Sequence, residues 1–87
     1  MCRQFRVSGR VQGVFYRDST RAFATPRNLQ GHAINLADGD VEVRVCGANC
    51  EIEELRSWLW HGPQRADVHE VVEQEVECSH PRDFTTG

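Results

Sequence analysis

The chain contains no lysine, so all ten of its basic residues are arginine. This absence excludes a G-K-[S/T] phosphate loop, a lysine Schiff base and a lysine general base, and with them three classes of enzyme. No run of apolar residues is longer than three, so a membrane-spanning helix of about 20 residues is excluded. The opening MCRQFR has no apolar core of a secretory signal, and we expect a cytoplasmic protein.

What is present is the composition of an ordinary globular chain. Of its 87 residues, 39% are hydrophobic and 26% are charged, so neither a disordered nor a collagen-like protein fits. Because the usual domain has about 100 to 150 residues, we expect one small domain covering residues 1–87.

The charges are divided unevenly along the sequence. Residues 1–27 hold six arginines against Asp18 alone, whereas residues 28–87 hold four arginines against twelve acids, within an overall charge of −3. A basic segment in an acidic protein favours a small anion over a polyanion, since nucleic-acid domains usually carry a net basic face. We therefore expect no nucleic-acid partner.

Alternating apolar residues predict four strands. The clearest signal is a hairpin, because Asp38 and Gly39 suit the positive φ of a tight turn, and valines at 41, 43 and 45 alternate with charged residues. The predicted strands are residues 2–8, 32–36, 41–46 and 72–78.

In the last of these strands, Val72, Val76 and Cys78 alternate with three glutamates. The alternation predicts a half-buried strand with an acidic outer face. A short tail follows, and we expect Phe84 to anchor it to the core.

Two segments have helical spacing. The first covers residues 16–25 and ends there because Pro26 disfavours helical geometry in the residue before it. The second covers residues 50–61 and has one apolar stripe, formed by Ile52, Leu55, Trp58 and Leu59. The order βαββαβ predicts an α+β fold of the ferredoxin-like (split βαβ) type, with two helices on one face of an antiparallel sheet. That fold alone indicates no function.

The segment GRVQGVFYR, Gly9 to Arg17, joins the first strand to the first helix. Its glycines allow close approach of the backbone, and the amides that enter a helix suit a phosphate-sized anion. Arg17 lies near the helix start, where the dipole disfavours a cation unless an anion lies between them. Taken alone, however, a loop with two glycines is more often a simple turn, and most arginines are solvated.

These residues resemble the acylphosphatase family. The chain reads V-x-G-R-V-Q-G-V-x-[FY]-R from Val7 to Arg17, and further matches extend through nearly the whole sequence. They are Thr20, Ala24, Leu29, Gly31, Asn35, Asp38-Gly39, Val41-Glu42-Val43, Gly47, Trp58, Gly62-Pro63, Ala66, Val68, Val71 and Phe84.

The resemblance implies hydrolysis of small acyl phosphates to a carboxylate and inorganic phosphate, without a metal or an organic cofactor. By position, the phosphate-binding arginine of the family is Arg17, and the asparagine that orients the attacking water is Asn35. We also expect a monomer. The phosphate cradle implied by the resemblance comprises Gln12, Gly13, Val14, Phe15, Tyr16 and Arg17.

The chain departs from the family pattern at three places. His32, Ala33 and Ile34 stand where an aromatic and then a basic residue usually precede the asparagine. Arg27-Asn28 replaces the usual Leu-Gly after the first helix, and asparagine tolerates the left-handed geometry required there. The C-terminal DFTTG lacks the usual aliphatic and basic residues, from which we expect lower stability and retained chemistry.

Three alternatives remain beside this interpretation. A non-catalytic regulatory module of the same fold would bind phosphate without turnover. A carbamoyl-phosphate-handling domain, as in the hydrogenase maturation carbamoyltransferase, would share the cradle. A nucleic-acid module would bind single-stranded RNA in a salt-dependent manner.

The four cysteines do not indicate a metal site. Cys46 and Cys50 lack C-x-x-C spacing, and Cys78 with His80 is predicted on another strand, so small core thiols are the simpler interpretation. In the fold implied by the resemblance, Cys2 at the start of the first strand lies opposite Cys46 at the end of the third. We therefore predict a Cys2–Cys46 disulfide in oxidised protein.

Overall fold

The computed structural model of the chain describes residues 1–77 and 81–86. In chain order the elements are β1 (Cys2–Arg10), α1 (Tyr16–Ala24), β2 (Gln30–Asn35), β3 (Val41–Cys46), α2 (Asn49–Leu59), β4 (Asp67–Glu75) and β5 (Phe84–Thr85). The sheet order is β4-β1-β3-β2-β5. The predicted βαββαβ order and ferredoxin-like fold are thus confirmed, whereas Cys78 and His80 lie outside the described residues.

The four longer strands pair antiparallel, as expected: β1 lies between β3 and β4, and β2 follows β3. The short β5 pairs parallel to β2, with Phe84 opposite Gly31, so the sheet is mixed. Phe84 is buried and anchors the tail as predicted. A strand of two residues is too short to produce a pattern in the sequence, which is why β5 was not predicted.

The core forms where β1 and β3 present one apolar face to the two helices. Phe5 lies opposite Val43 and Val7 lies opposite Val41, and all four side chains are fully buried. Because burial of one such side chain is worth about 1.5–3 kcal/mol, this face determines where the helices pack. The helices contribute Tyr16, Ala24, Ile52, Leu55 and Leu59 to the core.

The prediction for the last long strand was wrong in its position and its phase. The strand is Asp67–Glu75, and Val72 is 50% exposed, whereas Val68 and Val71 pack against the core. The phase follows from pairing with β1: Val71 lies opposite Val7, which is fully buried, and Val72 lies opposite exposed Arg6. Nearer the start of the strand there is a β-bulge, in which Ser8 pairs with Glu70 and Gly9 with Val68, so that His69 is the extra residue. A bulge breaks the two-residue period, so valines three apart face the same side.

The helix ends agree closely with the sequence. Helix α1 ends at Ala24, a single 3-10 turn covers Thr25–Arg27, and Asn28 has the left-handed φ of 57° that was expected of it. Helix α2 ends at Leu59, two residues before its predicted end, and Gly62 turns the chain with a φ of 63°.

Cys2 and Cys46 lie directly opposite each other on β1 and β3 and form a disulfide, as predicted. Cys50 is an exposed free thiol, which corrects the expectation of a core thiol at that position. Within residues 1–77 and 81–86 no three His, Cys, Asp or Glu residues are grouped so as to hold a metal ion. In those same ranges no helix has the length and apolarity needed to span a membrane.

Candidate active site

The loop between β1 and α1 meets the end of β2 at a cleft of about 280 Å³. This cleft brings together Arg17 and Asn35, although 18 positions separate them in the sequence. A larger depression of about 580 Å³ lies beside β5 and contains neither residue. The smaller cleft is lined by Val11, Gly13, Phe15, Tyr16, Arg17, Asp18 and Asn35.

Two residues of this loop have left-handed backbone conformations. Gly13 has a φ of 73°, and Phe15, the residue before α1, has φ 63° and ψ 24°. Left-handed residues turn successive amides toward one side and create a concavity that suits an anion. The amides in the first turn of an α-helix have no partner within the helix. In α1 no described side chain caps them either, so they are available to a ligand. The helix dipole adds to the positive potential there.

Arg17 is the second residue of α1 and is half-buried. Its Nη1 donates a hydrogen bond of 2.7 Å to the backbone carbonyl of Thr86. It forms no ion pair with any carboxylate in the described part of the chain. Since a guanidinium has five N–H donors, one fixed bond orients the group and leaves its charge and other donors to a ligand.

Asn35 is the last residue of β2, pairs with Val41 and is exposed. Its carboxamide makes no hydrogen bond to any group of residues 1–77 and 81–86. The turn that follows is held by Gln12, whose Nε2 donates to the carbonyls of Leu36 at 2.9 Å and Asp40 at 3.0 Å. Gln12 therefore joins the loop to the strand end that carries Asn35.

The side chains of three predicted cradle residues make their contacts elsewhere in the fold. Gln12 holds the turn, Val14 is buried in the core, and neither lines the cleft. Tyr16 is buried, and its hydroxyl donates a hydrogen bond of 2.7 Å to the carbonyl of Leu59. Burial raises the pKa of the Tyr16 hydroxyl well above its usual range. At these three positions only the backbone is left to bind phosphate.

The sequence interpretation missed three contributors. Val11 forms part of the wall, Asp18 lines the cleft, and Thr86 supplies the carbonyl that holds Arg17. Asp18 was detectable as the one acid among residues 1–27, whereas a backbone acceptor 69 residues from Arg17 leaves no signal in a sequence. Asp18 is loosely paired with Arg21, at 3.8 Å.

The unusual residues before Asn35 do not displace it from the cleft. His32 lies 2.8 Å from Glu42 on the neighbouring strand and pairs there. Ala33 is buried in the core, and the strand register continues unbroken to Asn35.

Comparison with known proteins agrees with the geometry. The acylphosphatase family model matches residues 3–86. An acylphosphatase of Colwellia psychrerythraea is 46% identical over 81 residues, which cover 93% of this chain and 91% of that protein. The structure of an acylphosphatase from Coxiella burnetii matches with a TM-score of 0.94 at 42% identity, covering 99% of this chain and 90% of that one. Full-length HypF, in a phosphate- and nucleotide-bound form, matches 99% of this chain with a TM-score of 0.86 and 30% identity, over 11% of HypF. The chain belongs to the acylphosphatase family.

Proposed function

We propose that Arg17 and Asn35 together carry out the hydrolysis of the carboxyl-phosphate bond. An acylphosphatase acts on small acyl phosphates, and phosphoryl transfer needs mainly positioning and stabilisation of spread negative charge. The phosphoryl group would lie against the amides of the Gly13–Arg17 loop and accept hydrogen bonds from the guanidinium of Arg17. The carboxamide of Asn35 would hold a water molecule in line with the bond that breaks.

The reaction then balances without a protein base. The water oxygen forms a bond to phosphorus as the bond from phosphorus to the acyl oxygen breaks, and the acyl group leaves as a carboxylate. That carboxylate is a stable anion and needs no general acid. The proton of the water passes to a phosphate oxygen of the substrate, so the products are a carboxylate and inorganic phosphate.

The surroundings of the cleft support this division of roles. Tyr16 is unsuited as a base, because its raised pKa keeps it protonated and its hydroxyl is engaged with Leu59. An asparagine orients a water without titrating. The observation that carries the proposal is that Arg17, which has no carboxylate partner in the described residues, shares one cleft with the unpartnered carboxamide of Asn35.

The test is hydrolysis of benzoyl phosphate by the purified chain in the presence of a metal chelator. We expect chelator-resistant turnover in the wild type and a loss of about 10²–10³-fold in Arg17→Ala, as for removal of a preorganised donor to the transition state. Inhibition by inorganic phosphate should weaken in the same variant. Arg65→Ala removes an equal charge from an exposed arginine that does not line the cleft, and it serves as the matched control.

Other outcomes would favour the alternatives. Phosphate binding without turnover in folded wild-type protein would indicate a non-catalytic anion-binding module. Turnover of carbamoyl phosphate alone among acyl phosphates would indicate a carbamoyl-phosphate-handling domain. Full activity in Arg17→Ala would reject the assignment of that residue.

The proposal extends to the state of the chain in solution. We expect residues 1–87 to fold as one domain, monomeric, cytoplasmic and without affinity for nucleic acid. The edge strand β4 supports the monomer, because acidic residues such as Glu70 and Glu75 oppose pairing with a second copy. Light scattering would measure the mass, and a dimer at micromolar concentration would contradict it.

A further inference from the structure

Phe15 stands out among the apolar side chains of the chain. It is 69% exposed, more than any other large apolar residue in the described ranges. Its backbone is also left-handed, with a φ of 63°, a conformation that a bulky aromatic residue rarely adopts. The same position thus has an exposed apolar ring and an unfavourable backbone.

The fold does not account for the ring. Phe15 is absent from the core cluster, and its ring makes no aromatic contact with another described residue. The left-handed backbone is explained by the loop, which turns into α1 at this residue. Glycine or asparagine, however, would adopt that conformation more easily and expose no apolar surface. The phenyl group therefore adds nothing that the loop needs.

The position of the ring relates it to the substrate. Phe15 lines the same cleft as Arg17 and Asn35. In an acyl phosphate a single oxygen joins the phosphoryl group to the acyl carbon, so an acyl group lies within a few bond lengths of a phosphoryl group held by Arg17. An exposed ring in the same small cleft is placed to contact that group.

The charge in the cleft argues against an anionic acyl group. Asp18 lines the cleft and is only loosely paired with Arg21, at 3.8 Å. A second negative charge on the substrate would meet this carboxylate, whereas an apolar or aromatic acyl group would not.

We propose that the side chain of Phe15 is a specificity-determining contact for the acyl group, and that it favours aromatic or bulky apolar acyl phosphates. The proposal rests on the proposed function, because it assumes that the phosphoryl group is bound at Arg17. On this proposal, the backbone of the loop binds the phosphoryl group, and the ring of Phe15 contacts the acyl group. Aromatic contacts of this kind correspond to a preference of about 3- to 10-fold.

The test uses four proteins: the wild type, Phe15→Asn, Phe15→Tyr and Trp60→Ala. Asparagine removes the ring and retains the left-handed backbone, whereas tyrosine retains the ring. Trp60 is a second exposed aromatic residue, 48% accessible, outside the cleft, and is the matched control. Binding of benzylphosphonate and methylphosphonate is measured by calorimetry, and kcat/KM is measured with benzoyl and acetyl phosphate.

We expect Phe15→Asn to lower the affinity for benzylphosphonate relative to methylphosphonate, and kcat/KM for benzoyl phosphate relative to acetyl phosphate, by about 3- to 10-fold. Phe15→Tyr, which retains the ring, should retain both ratios of the wild type, and Trp60→Ala should behave as the wild type. Equal losses for both members of each pair, or no loss for either, would overturn the proposal. The phosphonate measurements need no turnover, so a wild type that binds both compounds but hydrolyses neither substrate would reject the proposed function separately.

Discussion

The guanidinium of Arg17 donates a hydrogen bond of 2.7 Å to the carbonyl oxygen of Thr86, near the end of the chain. This bond joins the first turn of α1 to the segment that follows β5, and it fixes the side chain through one of its five donors. The C-terminal segment thereby helps to position the side chain of Arg17, which we propose binds the phosphoryl group. Its unusual sequence does not prevent this, because the acceptor is a backbone atom.

Deletion of residues 86–87 should therefore weaken phosphate binding and turnover together. The chain loses the acceptor that orients Arg17, and we expect kcat/KM to fall by about 3- to 10-fold, consistent with partial loss of a hydrogen bond to a charged group. Steady-state kinetics and phosphate inhibition measure both effects. Thr86→Ala retains the carbonyl and should behave as the wild type; a comparable loss in that variant would assign the effect to the threonine side chain.

Gln12→Ala should lower stability and kcat. Without Nε2 the carbonyls of Leu36 and Asp40 lose a donor, and we expect a cost of about 1–2 kcal/mol in the free energy of unfolding. Because the strand end that carries Asn35 is then less fixed, kcat should fall several-fold while phosphate affinity changes little. Gln74→Ala on the exposed edge strand is the matched control. A loss confined to phosphate affinity would mean that the Gln12 side chain contacts the anion instead.

Reduction of the disulfide should affect stability and leave activity unchanged. The bridge closes a loop of 44 residues, and its removal should lower the free energy of unfolding by about 2–4 kcal/mol. Cys2 begins β1, whereas the cleft lies beyond the other end of that strand, so kcat and KM should remain the same in folded protein. Urea unfolding of Cys2→Ser/Cys46→Ser against Cys50→Ser measures the difference. Equal urea midpoints for the double variant and for Cys50→Ser would contradict the prediction.

The disulfide also bears on the proposed location. Reducing cytoplasm keeps most thiols free, so in a cytoplasmic protein the reduced form would be the working state. Mass measurement after rapid alkylation in intact cells distinguishes the two: free Cys2 and Cys46 agree with a cytoplasmic protein, and a retained bridge contradicts it.

Glu73 should contribute to stability at neutral pH and lose that contribution in acid. Hydrogen bonding to Arg56, together with the nearby charge of Arg3, holds the pKa of Glu73 below its usual range. Because the pKa of Glu73 is lower in the folded than in the unfolded chain, the ionised carboxylate stabilises the folded state at pH values above the unfolded pKa of about 4.5. This stabilisation is lost as the pH falls through the folded pKa.

Glu73→Gln should accordingly be less stable than the wild type by about 0.5–1 kcal/mol at pH 7, with a difference that vanishes near pH 2. Thermal unfolding across this range measures it. Glu77→Gln, which replaces a glutamate beyond the end of β4, is the matched control and should be as stable as the wild type at pH 7. A difference that persists undiminished in acid would assign the effect to packing.

Local sequence signals predicted much of the fold. Val41, Val43 and Val45 gave the strand of the hairpin correctly, and Asn28 adopted the left-handed turn expected of it. The phase of β4 was missed because pairing with β1 sets it, placing Val71 opposite Val7 and Val72 opposite Arg6, and because a bulge at His69 shifts the start of the strand. Pairing between distant strands sets such irregularities, and a period counted along one strand does not contain them.

Sequence signals of the same kind predicted only part of the candidate site. Arg17 was conspicuous as a cation at a helix start, and the resemblance to acylphosphatases supplied Asn35. The conformation of Phe15 and the acceptor at Thr86 arise from how the chain closes on itself, so neither was foreseen.

Turnover and phosphate affinity of Asn35→Ala, measured side by side, test the account most directly. If Asn35 orients the water and does not touch the anion, kcat should fall by about 10- to 100-fold, the scale of losing precise positioning. The dissociation constant for phosphate should stay within about twofold of the wild type, because the interactions with the anion are retained. A folded Asn35→Ala protein with full activity would contradict the mechanism.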